Sequence, residues 1–410
     1  MSLEPKLSLS SLKELNYPQL RAGIDFSLTK AKDGQTYIVL EDNWGLTDQQ
    51  LLIAHDFLPV LQCMTGDHSL ESIRKYCLTR FSLNVNKEQI TELVSALDRF
   101  YFLDTPRYQK RLLLMRQEFR NADSRLPVCA GSSYPGEAGE LSALFDSWFD
   151  HTNPEYNDIT ALVAPHIDLR LGGPTFTAAY QHLKNAPPAD LYIVLGIGHM
   201  GIENLFALTD KDFDTPLGTV RTDSRLVHTL QASAKYDYFN DEWVHRDEHS
   251  IEFQAVILKY LLGDVNILPV LCSFSPHVFS KPGAPTYDIF HDFIHALRPV
   301  LNAYPKVRVI AGVDFAHVGP RYDQSHSMDQ AFIKGMQDND HELLDALTHW
   351  DIDKFQRTMT TTNDQYHICG YSALITMLHL LTPQNGKLLD YRAAEMDDSG
   401  SLVSFAGLIF

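Results

Sequence analysis

Several groups able to do chemistry stand where apolar runs stop. ITALVAP ends at Pro165-His166, LYIVLGIGH ends at His199, and VRVIAGVDFAH ends with Asp314 and His317. HRDEHSIEFQAVIL places His249 and Glu252 at the start of an amphipathic helix, and Cys369-Gly370 precede the apolar run SALITMLHLL. Runs such as Thr160–Ala164 have the continuous apolar character of strands buried on both faces of a parallel sheet. Pro165 stops the first of them, because it cannot donate to a ladder. Open α/β sheets bind ligands at their C-terminal strand edges, so these polar residues could share one cleft. Imidazole exchanges protons near neutral pH and ligates transition metals. A thiolate with two neutral imidazoles suits zinc, copper or ferrous iron, and the positive end of the following helix favours a thiolate at Cys369. Spacing alone does not bring Cys369 to the histidines.

Each residue also has a plainer reading. His166 could be a loop histidine, Asp314 could cap a neighbouring loop, and Glu252 reads best as a helix-start charge facing the dipole. Asp168 and Arg170 could pair with each other or reach the cleft, with Asp168 read as pocket wall. His182, His277 and His379 read as structural or surface groups. Gly172-Gly173 is a weak echo of a phosphate-cradling turn.

The elements that must position these groups fall into two regions. From Leu126 to Phe410, strand-like runs alternate with helical ones: AGELSALFDSWFD, GPTFTAAYQHL, IEFQAVILKYLL, TYDIFHDFIHALRPVL and SALITMLHLL. The pattern implies an α/β domain over 126–410 with a largely parallel central sheet flanked by helices. Before it, 106–125 reads as a linker helix with six basic and two acidic residues over Arg107–Arg125. Residues 1–105 read as a small α+β domain: a strand in DGQTYIVLED, a helix from Thr47 to Leu61, a second helix N-capped by Ser69, a third over Lys87–Phe100, and a short strand in YFLD.

The bulk properties narrow the function. The 410 residues carry 34 basic and 52 acidic side chains, a net charge of −18. So acidic a chain is a poor partner for nucleic acid or an anionic membrane face. No apolar run approaches the length of a transmembrane helix. The N-terminus lacks the layout of a secretory signal, so the expected compartment is the cytoplasm. Five scattered cysteines without a CxxC pair argue against a disulfide framework or a zinc ribbon.

Two resemblances extend this reading. CAGSSYP (129–135), APH (164–166), LGIGH (195–199), DEHSIE (247–252), ILPVL (267–271), DFAH (314–317) and ICG (368–370) occur in the order of the Memo family. That family includes the protein B type of AmmeMemoRadiSam gene systems. The resemblance implies a class III extradiol dioxygenase-like fold. It also implies His166, His199 and Cys369 as metal ligands, with Asp314, His249 and His317 lining the pocket, His249 or His317 as the acid–base group. Over residues 18–104 the strand–helix order and the TGDHSLESI turn resemble PqqD-like winged-helix domains, which bind leader peptides. This chain departs from the Memo pattern in PHIDL, in His199-Met200, in Val318 after His317 and in Cys369-Gly370-Tyr371. The pocket wall is therefore its own, and Asp168 is where its specificity is expected.

The function so implied is a metal-binding protein, a non-haem iron or copper oxidoreductase acting on a small molecule. Two alternatives stand beside it. One is a non-enzymatic metal- or peptide-binding adaptor whose N-terminal domain recruits a peptide or a radical-enzyme partner. The other is a zinc-dependent hydrolase, with His249 as base and a metal-bound water of pKa about 7.

Overall fold

In a computed structural model, which describes residues 15–31, 34–150, 156, 158–184, 186–322, 324 and 327–410, chain contacts separate Met1–Asn121 from Ala122–Phe410.

The first unit begins with an antiparallel meander, β1 (Ile24–Lys30), β2 (Thr36–Asp42) and β3 (Leu51–Ala54). The single helix expected over Thr47–Leu61 is not formed. Leu51–Ala54 instead pairs with β2, Ile53 opposite Ile38, and helix begins only with a 3-10 turn at His55–Phe57 leading into α1 (Leu58–Gln62). The reason is local: Pro59 fits the first turn of a helix, where no amide is needed, and not its interior. Helices α2 (Leu70–Phe81) and α3 (Lys87–Arg99) follow. Ser69 caps α2 by accepting from the Ser72 amide, and Asn86 and Gln89 form a capping box on α3. Ile38, Leu40, Val60, Ile73, Ile90 and Phe102 are packed in one core. YFLD contributes a single bridge, Leu103 to Leu20. The order is thus three strands before the helices, not one. The expected linker helix is α4 (Pro106–Arg120), whose Tyr108 and Met115 pack with Leu46 of the same unit.

The second unit opens with β4 (Ser124–Arg125) and α5 (Ala138–Phe149), followed by β5 (Ala161–Ala164), α6 (Leu169–Lys184) and β6 (Leu191–Ile197). Three short strands come next, β7 (Phe206–Leu208), β8 (Asp212–Phe213) and β9 (Arg221–Thr222). Then come α7 (Ser224–Ser233), α8 (His249–Leu262), β10 (Asn266–Cys272), α9 (Pro285–Ala303), β11 (Val307–Gly312) and β12 (His317–Val318). The chain closes with α10 (Gln330–Thr348), α11 (Ile352–Thr361), α12 (Tyr371–Leu380), β13 (Lys387–Glu395) and β14 (Leu402–Ile409).

The central sheet runs β12-β14-β5-β11-β6-β10-β7, with β13 on β14 and β9 on β10. Strands β5, β11, β6 and β10 are mutually parallel, whereas β14 and β7 run antiparallel to their neighbours. All residues of β5 and β6 are buried, as a sheet covered on both faces demands. No helix among the described residues is long and apolar enough to cross a membrane.

Two glycines set how closely α8 approaches this sheet. A Cβ on Gly196 would lie 2.5 Å from Ser250 Oγ, and one on Gly312 would lie 2.6 Å from Gln254 Nε2. With no Cβ in the way, Ser250 Oγ accepts from the Ile197 amide at 2.9 Å and donates to the Ile197 carbonyl at 3.1 Å. That clasp holds the first turn of α8 at the end of β6. Gly172 and Gly173 have a packing role: they lie inside α6, against Ile167 and Trp148, and form no phosphate-cradling turn.

Candidate metal centre

Two strand ends and one helix start deliver imidazoles to the same place. His166 follows β5, His199 follows β6, and His249 opens α8. Their ring centroids are 5.0 to 5.1 Å apart, and their ligand atoms all lie within 4.8 Å of one another. The rings of His199 and His249 are stacked at 12°. A cavity of about 410 Å³ opens onto them, and His317, Asp314 and Asp168 also line it.

Each ring has an oxygen partner at Nδ1. His166 Nδ1 lies 3.0 Å from the Gly312 carbonyl, which can only accept, so Nδ1 carries the proton and Nε2 keeps its lone pair. The Glu248 carboxylate serves the other two: it lies 3.0 Å from His199 Nδ1 and 3.2 Å from His249 Nδ1. It also accepts from the backbone amides of His199, His249 and Ser250. Burial opposes ionisation of Glu248, but the facing His199 and His249 outweigh it and hold the carboxyl well below its usual range. Burial likewise opposes protonation of His199, yet Glu248 overrides it and raises its pKa. His166, buried and facing two other imidazoles, is pushed well below the ordinary histidine value. A neutral imidazole with a free Nε2 is the form that binds metal, and a carboxylate behind the ring is the usual way of fixing it. The residues therefore fit a divalent cation by donor type, tautomer and convergence.

Cys369, expected as the third ligand, stands beside His166 with Sγ 3.4 Å from Nε2 and 3.5 Å from the Asp314 carbonyl. The metal-free site favours the protonated thiol, whereas a bound cation would favour the thiolate expected from its place before α12. Burial pushes the thiol well above its ordinary pKa, and the neighbouring Asp314 adds to the effect. Asp314 Oδ1 accepts from the His166 amide at 3.0 Å, and burial raises its carboxyl to about 7 against the pull of the His166 and Ile167 amides. Burial lowers His317 to about 4, with its Nδ1 on the Phe315 carbonyl at 3.2 Å. Asp168 lines the cavity while paired to Arg170 at 2.6 Å.

Glu252 stands in the first turn of α8, as expected of a helix-start charge, but it is buried and paired. It is 1% exposed and binds Arg125, the Tyr134 hydroxyl, and the amides of Val128 and Cys129 at 3.1 and 2.9 Å. Arg125 in turn donates to the carbonyls of His245 and Glu248. This pair fastens the 125–134 segment, whose Cys129 and Ser133 line the cavity, to the helix that carries His249.

His245, in the turn before α8, yields a pH prediction. It is 1% exposed with Nε2 on the Ala207 carbonyl, and burial holds it at about 4. The unfolded chain then binds a proton that the folded chain refuses, so stability falls as pH drops from about 6.5 to about 4. Over that range His245 is expected to cost about 3 kcal/mol, read as the difference between wild type and His245→Gln in urea titrations. Asp314 and Asp340 carry the opposite dependence but are common to both proteins. A constant difference between the two proteins across that range would contradict it.

The model of the family described as "Memo-like protein" matches residues 125–409. The chain belongs to the Memo family. Among its Memo relatives, a MEMO1 family protein of Aquifex aeolicus is 26% identical over 375 residues, covering 91% of this chain and 95% of the relative. That alignment is longer than the second unit and so extends into the first. A MEMO1 family protein of Thermus thermophilus is 24% identical over 335 residues, and one of Nitrosopumilus maritimus is 26% identical over 302. The latter covers 70% of this chain but 99% of itself. In this Memo chain, sequence reasoning missed Glu248 although it lies inside the DEHSIE motif. An acid directly before a helix-start histidine was the available signal, but glutamate is not among the favoured N-caps.

Proposed function

We propose that this Memo protein binds one divalent metal, iron foremost, at His166, His199 and His249, and acts as a non-haem iron oxidoreductase on a small molecule. The observation that carries the proposal is the convergence of three imidazole donors, two of them backed by one buried carboxylate, on the floor of a cavity. The metal would supply Lewis-acid binding of a chelating substrate and the redox capacity. The protein groups supply the rest. His317, neutral at pH 7, can take a proton from a substrate hydroxyl at Nε2. Asp314 fixes the His166 backbone, while Ile167, Phe253 and Val403 keep one wall apolar. Imidazole suits copper and zinc as well; the extradiol dioxygenase-like fold of the family favours iron. Full-length protein loaded anaerobically with ferrous iron, copper or zinc separates these readings. Oxygen uptake with catechol probes, in the iron form and reduced in His317→Ala, is the expected result. Ester hydrolysis by the zinc form with no oxygen uptake by the iron form would replace the oxidoreductase by a hydrolase.

The first unit supports a second, compatible reading as a peptide-recruiting module. A groove of about 390 Å³ lined by Leu20, Phe26, Leu28, Ile38, Leu58 and Leu61 lies beside β1. Phe26 and Leu28 are 51% and 64% exposed, and β1 pairs on one edge alone among the described residues. An extended apolar peptide could add to that edge. A radical-enzyme partner could present such a peptide. Binding of labelled leader-type peptides to the full chain, weakened in Phe26→Glu, is expected; equal binding by both proteins would contradict it.

A further inference from the structure

Charges on the wall of the metal cavity are matched, with one exception. Asp168 is held in a two-point pair with Arg170, and Asp314 is buried and bonded to the His166 amide. Arg321 also lines the cavity, in the short turn Pro320–Tyr322. Its backbone amide is fixed by Ser401 Oγ at 3.1 Å, but its guanidinium makes no ion pair or hydrogen bond with another described residue. A guanidinium left without an acid at a cavity that also presents three imidazole donors is a recognition element for an anion. The same cavity is also lined by the apolar Ile167, Phe253, Met396 and Val403, which suits a hydrocarbon or ring body and not a second charge.

We infer that the substrate of this cavity is a small carboxylate, anchored by Arg321 through its carboxylate and placing a second oxygen where it could ligate a metal held by the three histidines. The inference rests on the metal reading above and names the substrate class for it. The planar fork of arginine matches a carboxylate at two points, which lysine cannot reproduce. Asp168, neutralised by Arg170, does not repel the anion at close range.

The test uses the full chain loaded with cobalt(II), with uptake measured first for wild type, Arg321→Gln and Arg321→Lys. Calorimetric titrations then use salicylate, which carries a carboxylate beside a chelating hydroxyl, and catechol, which chelates without one. Salicylate is expected to bind Arg321→Gln at least about 10-fold more weakly than wild type, with Arg321→Lys between them and catechol unchanged. Equal salicylate affinity in wild type and Arg321→Gln, or no salicylate binding by wild type, overturns the carboxylate anchor while leaving the metal reading intact. If no variant takes up cobalt, the metal reading fails. Benzoate binding to the metal-free protein then decides the anchor alone, supporting it when weakened in Arg321→Gln and overturning it when unchanged. Phenyl phosphate bound more tightly than benzoate overturns the carboxylate in favour of a phosphate.

Discussion

Glu248→Gln is expected to lower the affinity for a divalent metal by about 10- to 100-fold, the usual effect of removing a carboxylate behind metal-binding histidines. The size follows from how much one side chain does. Glu248 is 5% exposed and faces Nδ1 of both His199 and His249, while its oxygens cap the first turn of α8. Glutamine keeps the shape and one acceptor oxygen but loses the charge that makes both rings good ligands. The helix cap largely survives, so the Tm should move little compared with the metal affinity. Competition titrations against a chelating dye measure the affinity, and calorimetry of the metal-free protein measures the fold. Unchanged affinity in a normally folded Glu248→Gln protein would mean that Glu248 only caps the helix.

Glu252→Ala is expected to cost about 3–5 kcal/mol of stability, because it leaves the Arg125 guanidinium buried without its partner. The two side chains are 0% and 1% exposed, and Glu252 also gathers Tyr134 and the amides of Val128 and Cys129. The loss should exceed that of Glu252→Gln, which retains an acceptor for some of these donors. Urea denaturation of the three proteins measures the difference. A loss below about 1 kcal/mol, the scale of an exposed ion pair, would mean that the 125–134 segment is held by other contacts.

Much of the second unit was legible because its central strands β5, β6 and β11 are short, mostly apolar and stopped by proline or glycine. Those features place His166, His199, Asp314 and His317 at strand ends before any contact is known. The direction of β14 was not legible, since an apolar strand reads the same in either sense. In the first unit the run LLIA could serve a helix or a sheet edge, and only pairing with β2 decides between them. The approach of His249 to His166 and His199 turns on where the first turn of α8 sits, which the Gly196–Ser250 clasp sets. Arg125 and Glu252 meet across 127 positions of sequence. No local pattern announces such a pair, so a structural acid looked like an ordinary helix-start charge.

The most direct test is metal stoichiometry by elemental analysis after anaerobic dialysis against ferrous iron, with wild type, His249→Ala, Cys369→Ala and the double variant His166→Ala/His199→Ala. Three-histidine binding predicts about one iron per chain in wild type and in Cys369→Ala, and loss of iron in His249→Ala and in the double variant. Full occupancy in the double variant, or iron retained by His249→Ala and lost by Cys369→Ala, would contradict it.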